Sequence, residues 1–142
     1  MIEKLNKLLA DLNVFYRKLQ NYHWNIKGHD FFIVHSKLEE YYDSINKQID
    51  EIAEHILILG GQPLGTMKDY LGVSTIQEAK NEKLTSDVII KVVMTDFTTL
   101  LNECVEIKEL ADEEEIYETS SMIDEYITDY SKKIWMLTQM YE

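Results

Sequence analysis

One cysteine, one proline and five glycines in 142 residues leave this chain with few covalent or conformational constraints. The lone Cys104 excludes an internal disulfide framework. No apolar run approaches the roughly 18 residues that a membrane span requires. Met1-Ile2-Glu3-Lys4 leads straight into an amphipathic pattern, so a soluble, cytoplasmic protein with no membrane association is expected. Basic residues are scarce as well. With 14 Lys and Arg against 26 Asp and Glu the formal charge is −12, which disfavours phosphate backbones as partners and draws cations instead. Lys4, Lys7, Arg17 and Lys18 fall inside the first helical pattern, so no basic tail is expected and direct DNA binding at ordinary salt is disfavoured. His-Glu-x-x-His is absent, which argues against zinc hydrolysis.

What is present is helical rhythm. Ile2, Leu5, Leu9, Leu12, Tyr16, Leu19 and His23 step by three and four, the apolar stripe of a helix. Leu38, Tyr42, Ile45, Ile49, Ile52, Ile56 and Leu59 repeat it, and Gly60-Gly61-Gln62-Pro63 stops it. Ile90, Val93, Phe97, Leu100, Cys104, Ile107 and Ala111 form a third stripe, with Thr85-Ser86-Asp87 offering N-caps. The rhythm slips by a step of five at Ala111 to Ile116. A break is therefore placed in Asp112-Glu113-Glu114-Glu115, before a fourth stripe of Ile116, Ile123, Ile127, Tyr130, Ile134, Leu137 and Tyr141. The long connection from Leu64 to Lys83 holds a short helix, for which Ser74-Thr75-Ile76-Gln77 reads as a capping box with Ser74 as N-cap. One all-α domain over residues 1–142 is expected, a four-helix bundle with a short helix in the crossover between the second and third helices. Cys104, on the buried stripe, reads as a small hydrophobe.

The chemistry gathers between His23 and Glu54. Gly28-His29-Asp30 separates the first two stripes and predicts a turn that folds them into a helical hairpin. His23 and His35 are each six residues from position 29, so the hairpin brings both imidazoles to one level, where they could share a metal ion. Taken alone, His23 reads equally well as a satisfied core histidine; His35 shifts the balance. His29 and His55 read as solvent-facing. His35 and Glu39 are four apart, as are Asp50 and Glu54, and all four fall within an arc of roughly 100°. At about 1.5 Å rise per residue, however, His35 and Asp50 lie roughly 22 Å apart along the axis. One copy of the helix cannot close a site from both halves. Two copies packed antiparallel about a two-fold axis near Ser44 and Ile45 can, which makes two identical sites in an isologous dimer. Each would hold His23, His35 and Glu39 from one chain with Asp50 and Glu54 from its partner.

Imidazoles with carboxylates form an N/O donor set compatible with Fe, Mn or Zn. Its oxygen richness stabilises an oxidised ion, so iron oxidation fits better than closed structural zinc. The Glu-x-x-His pair of larger di-iron bundles is missing.

The run Asn21-Tyr22-His23-Trp24-Asn25-Ile26-Lys27-Gly28-His29-Asp30-Phe31-Phe32, followed by His35, Glu39, Ile49-Asp50-Glu51-Ile52-Ala53-Glu54 and Gly60-Gly61-Gln62-Pro63, closely resembles the Dps family, the miniferritins named for DNA protection during starvation. The resemblance implies a ferritin-like four-helix bundle assembled from two-fold dimers into a hollow homo-oligomeric dodecamer. It implies ferroxidase sites at the dimer interfaces, with His23 and His35 as iron ligands from one subunit and Asp50 and Glu54 from the other. Glu39 stands where many members carry Asp, and Trp24 matches the aromatic lining the site. The implied activity is oxidation of Fe(II), preferably by hydrogen peroxide, and storage of Fe(III) oxide in the shell, protecting the cell against oxidative stress. Two departures accompany it. The extended basic N-terminal tail of some members is missing, and Tyr117 and Ser121 occupy positions where acidic pore residues are expected. The alternative is a DNA-coating or DNA-condensing protein of the same fold with minor iron chemistry; a purely structural oligomerisation module is a third reading.

Overall fold

The computed structural model describes residues 1–141; Glu142, the last residue of the expected domain, lies outside the described residues. Helix α1 (Ile2–Asn25) and helix α2 (Phe31–Ile58) form the first hairpin. Helix α4 (Ser86–Glu113) and helix α5 (Tyr117–Thr138) form the second, and residues 59–85 cross between the hairpins with helix α3 (Met67–Val73) on the way. The four-helix architecture with a short crossover helix therefore stands as the helical periodicity predicts. Among the described residues no helix is long and apolar enough to cross a membrane.

The predicted stripes are the buried faces. Leu5, Leu9, Leu12 and Leu19 of α1 meet Leu38, Ile45, Ile52 and Ile56 of α2 and Val93, Phe97, Leu100 and Cys104 of α4, all buried. Each such side chain contributes about 1.5–3 kcal/mol when removed from water. Phe97 sits where these faces converge, edge-on to Phe15 at 5.0 Å and to Tyr41 at 5.3 Å between ring centroids. Cys104 is fully buried, and burial pushes its thiol well up, so it packs as an inert hydrophobe. The predicted break between the last two helices falls at Glu114 to Ile116, where Glu115 takes a left-handed φ of 59° without a glycine.

Two expectations are overturned. Ser74 does not start the crossover helix; it follows the last residue of α3, whose N-cap is Thr66 with its hydroxyl accepting from the Asp69 amide at 3.1 Å. Ser74, Thr75 and Ile76 instead wrap around the carboxylate of Asp11. Asp11 is fully buried and accepts from the Ser74 hydroxyl at 2.6 Å and from the amides of Thr75 and Ile76 at 2.7 and 3.1 Å. The capping-box pattern is thus used to anchor the crossover to α1, because Ser and Thr serve any local anion as readily as a helix end. His55 does not face solvent either. It is buried, its Nε2 2.7 Å from the Thr119 hydroxyl of α5, and burial lowers its pKa against the weaker opposing pull of Glu118. The helical wheel of α2 alone does not show that α5 covers this side of it.

Asp11 also belongs to a partly buried charge cluster. The Lys7 ammonium reaches both Asp11, at 3.5 Å, and Glu103 of α4. One cation facing two carboxylates leaves the pair holding a proton. Burial pushes the Asp11 carboxyl up, but its hydrogen bonds to Glu103, Ser74, Thr75 and Ile76 outweigh this and hold it below the usual range. Glu103 keeps the proton: burial, then the hydrogen bond to Asp11, push it up to about 8.

Candidate metal centre

Two clamps hold the turn between α1 and α2. Ile26–Lys27 (β1) pairs in parallel with Leu84–Thr85 (β2), immediately before α4, and the Ser86 hydroxyl donates to the Asp30 carboxylate. Gly28 makes the reversal at φ +121°, a conformation that side chains resist, and its carbonyl accepts from the Phe31 amide at 3.2 Å. The ends of the two helices are thereby fixed to a third element before any ligand arrives.

That clamp sets the histidines. His23 Nδ1 donates to the His35 carbonyl at 2.6 Å, and His35 Nδ1 donates to the His23 carbonyl at 2.7 Å. A carbonyl only accepts, so each Nδ1 carries a hydrogen and Nε2 is the nitrogen left to take a metal. The reciprocal bonds stack the imidazoles 3.7 Å apart and within 9° of parallel. A metal-ligating lone pair lies in its ring plane. The two Nε2 lone pairs therefore lie in separate, nearly parallel planes, and the pair would offer one nitrogen to each of two neighbouring ions.

Rings continue on both sides. Phe31 stacks on His35 with centroids 4.7 Å apart, Tyr42 meets His23 edge-on at 5.3 Å, and Tyr16 meets Tyr42 edge-on at 5.9 Å. Glu39 projects beside them, its Oε1 3.7 Å from His23 Nε2 and its side chain 55% exposed. His23 is buried and His35 half-buried. Within one chain the two imidazoles are thus brought together, with Glu39 beside His23, but the three side chains do not converge as a metal-ligand group.

Asp50 and Glu54 are not part of it. Both are exposed on α2, which runs unbroken from Phe31 to Ile58, so the roughly 22 Å offset from His35 persists. Among the described residues no three His, Cys, Asp or Glu side chains of a single chain gather to hold a metal. The imidazole pair, built from α1 and α2, and the Asp50/Glu54 pair of α2 are therefore separate groups in this chain. Trp24 is 55% exposed and makes no ring contact with either imidazole among the described residues; the Arg17 guanidinium lies over its ring at 6.0 Å. Together with Tyr16, Asn46, Ile49, Met67 and Leu71 it lines an open groove of about 680 Å³.

Tyr42 escaped the sequence reading as a site residue. Its place on the apolar stripe of α2 made it look like core, and only its seven-residue spacing from His35 hinted that it shares that face. The carbonyl exchange between the histidines has no sequence signature at all.

Comparison with known proteins agrees with this fold. The Ferritin-like domain model matches residues 2–142. DNA protection during starvation protein 2 of Bacillus anthracis is 42% identical over 137 residues, covering 96% of this chain and 93% of that protein. The chain belongs to the Dps family. Among Dps structures, the Vibrio cholerae O1 protein, described as a member of a broad superfamily of ferritin-like diiron-carboxylate proteins, superposes with a TM-score of 0.96 at 35% identity, covering 99% of this chain and 88% of that one. General stress protein 20U of Bacillus subtilis (strain 168) is 38% identical, over 96% of this chain and 94% of that protein.

Proposed function

We propose that this Dps-family chain is an iron-sequestering ferroxidase: it binds Fe(II) at sites shared between two subunits and oxidises it, preferably with hydrogen peroxide. The observation that carries the reading is the locked imidazole stack with two free Nε2 nitrogens, together with a second acidic half-site too far along the same helix to be used by the same chain. An antiparallel partner places its Asp50 and Glu54 beside His23, His35 and Glu39. The combined N/O set suits two adjacent irons. Trp24 then lines the site from its rim.

With two Fe(II) ions side by side, peroxide receives both electrons at once: two Fe(II), one H2O2 and two protons give two Fe(III) and two H2O. Pairing therefore avoids the hydroxyl radical that a single electron would release. The chain's own part is positional. The carbonyl exchange fixes both rings before metal arrives, and the carboxylates offset the added charge of the product. Oxidised iron passes to an acidic inner surface of a hollow shell, a dodecamer built from the two-fold dimers, in the cytoplasm. The domain spans residues 1–142, and the protection extends to the cell's DNA through removal of iron and peroxide. A net charge of −12 favours this route over coating DNA directly.

The decisive experiment is anaerobic Fe(II) loading of the purified assembly, addition of stoichiometric peroxide, and size-exclusion chromatography with iron and protein read together. Iron well beyond the number of shared sites, co-eluting with a large shell, is expected. A large shell that retains no iron refutes oxidation with storage and turns the function towards DNA or protein binding.

A further inference from the structure

Side chains of α1 hold the crossover along its length. Asn6 donates to the Gln62 carbonyl at 3.1 Å and accepts from the Leu64 amide at 2.9 Å, and Asn21 donates to the Ala79 carbonyl at 3.3 Å. Between them Asp11 accepts from the Ser74 hydroxyl and from the Thr75 and Ile76 amides. Helix α3 hangs between the Asn6 and Asp11 anchors. None of its seven residues is buried, and a helix so short has little stability of its own. It therefore depends on both anchors.

Of these anchors Asp11 alone is an acid, and a second acid adjoins it. The Glu103 side chain of α4 is 11% exposed; its Oε1 accepts from Lys7, whereas its Oε2 is sealed from solvent with no donor beside it. Ionised, that oxygen is neither hydrated nor hydrogen-bonded; protonated, the carboxyl donates to Asp11. Lys7 stays charged, because the two carboxyl groups outweigh the burial that opposes its charge. The neighbouring cations are already paired, Lys4 with Glu106 at 3.8 Å and Lys18 with Asp96 at 2.8 Å. From α5 the fully buried Tyr130 phenol lies close enough to feel Glu103, as does the adjoining Cys104 thiol of α4, and burial keeps both neutral. Residues 74–76 bring only hydroxyls and amides.

We propose that the Asp11 and Glu103 carboxyl groups form a proton-dependent latch on the crossover: while they share a proton residues 65–76 stay seated on α1, and its loss to solvent releases them, α3 included, with the four long helices still folded. The latch does not depend on the ferroxidase reading. In the closed form Glu103 keeps its proton up to about pH 8. Once residues 74–76 lift, water reaches the pair and the Glu103 pKa returns towards the usual carboxylate range. Opening therefore releases a proton, and each pH unit between those two values raises the opening equilibrium about tenfold. The rise levels off near pH 8, where the closed form has lost the proton too. Release removes the Met67, Tyr70 and Leu71 wall of the groove that α2 borders through Asn46 and Ile49, next to Asp50.

The test is hydrogen exchange of the intact assembly, read by mass spectrometry as protection factors, which remove the intrinsic pH dependence of exchange. From about pH 6 to about pH 8 the protection of residues 67–76 should fall about a hundredfold, two pH units at tenfold each, with residues 89–104 of α4 far better protected at both ends. Glu103→Gln keeps a carbonyl and a hydrogen donor but cannot titrate, so it should abolish the fall while leaving the protection. Protection of residues 67–76 that is independent of pH, or that falls as steeply in Glu103→Gln, overturns the proposal. So does exchange of residues 67–76 in step with residues 89–104, because release would then be global unfolding. Infrared spectra of the wild-type assembly need no variant: a protonated carboxyl band should be present at about pH 6 and lost above about pH 8. Its absence at the lower pH overturns the latch even if Glu103→Gln fails to fold.

Discussion

Mixing two inactive variants tests the shared site most directly. His35→Ala destroys the imidazole half-site and Asp50→Ala the acidic half-site; the two positions stand roughly 22 Å apart on one rigid helix. Losing even a hydrogen-bond partner of a metal ligand typically costs about 10–100-fold, so each variant alone should fall at least about tenfold in peroxide-dependent Fe(II) oxidation. In a mixed dimer one site loses both halves while the other draws intact His35 from one chain and intact Asp50 from its partner. Random pairing of equal amounts makes about half of the dimers mixed, each with one working site of two, so co-expressed variants should recover about a quarter of the wild-type rate. The assay is stopped-flow Fe(III) absorbance on differently tagged chains, isolated by tandem affinity and checked for shell size. A mixture no faster than the mean of its parents refutes the two-chain site. Undiminished activity in either single variant removes that residue from the chemistry.

Other outcomes follow from the same structure. Glu103→Gln should flatten the pH dependence of stability. The folded-state pKa of Glu103, about 8, lies above its unfolded value near 4.5, so its stabilisation is complete below the unfolded value and is lost as pH rises through the folded one. Between about pH 5 and 8 wild type should lose on the order of 3 kcal/mol relative to Glu103→Gln, read as the difference in denaturation midpoints at fixed protein concentration; parallel curves would contradict the charge assignment. Asp11→Ala strands the Ser74 hydroxyl and the Thr75 and Ile76 amides and should cost about 3–5 kcal/mol. Early hydrogen exchange of residues 74–76 is its signature, and unchanged protection there would deny the anchor. Zn(II), used as a redox-inert probe, should raise the wild-type melting temperature by mass action, with the increase reduced in His35→Ala and in Asp50→Ala. Equal shifts in all three would place the metal elsewhere.

The amino-acid order by itself determined the helices, their buried faces and the hairpin that carries the histidines, because a 3.6-residue apolar period leaves each amphipathic segment only one way to hide its stripe. It also set His35 and Asp50 too far apart for one chain to bring both to a single ion, since helical rise turns a fifteen-residue interval into roughly 22 Å. Tertiary structure alone decided what lies between elements. The carbonyl exchange that locks His23 to His35 depends on two helix ends meeting, held by the β1–β2 pairing and by the Asp30–Ser86 bond across 56 residues. Ser74 to Ile76 looked like a helix start until Asp11 supplied a stronger acceptor than a helix end. His55 looked exposed until α5 covered it with Thr119. Periodicity reports which face of a helix is buried; it carries no record of which polar groups the neighbouring element brings to that face, and those partners fix the electrostatics of a site.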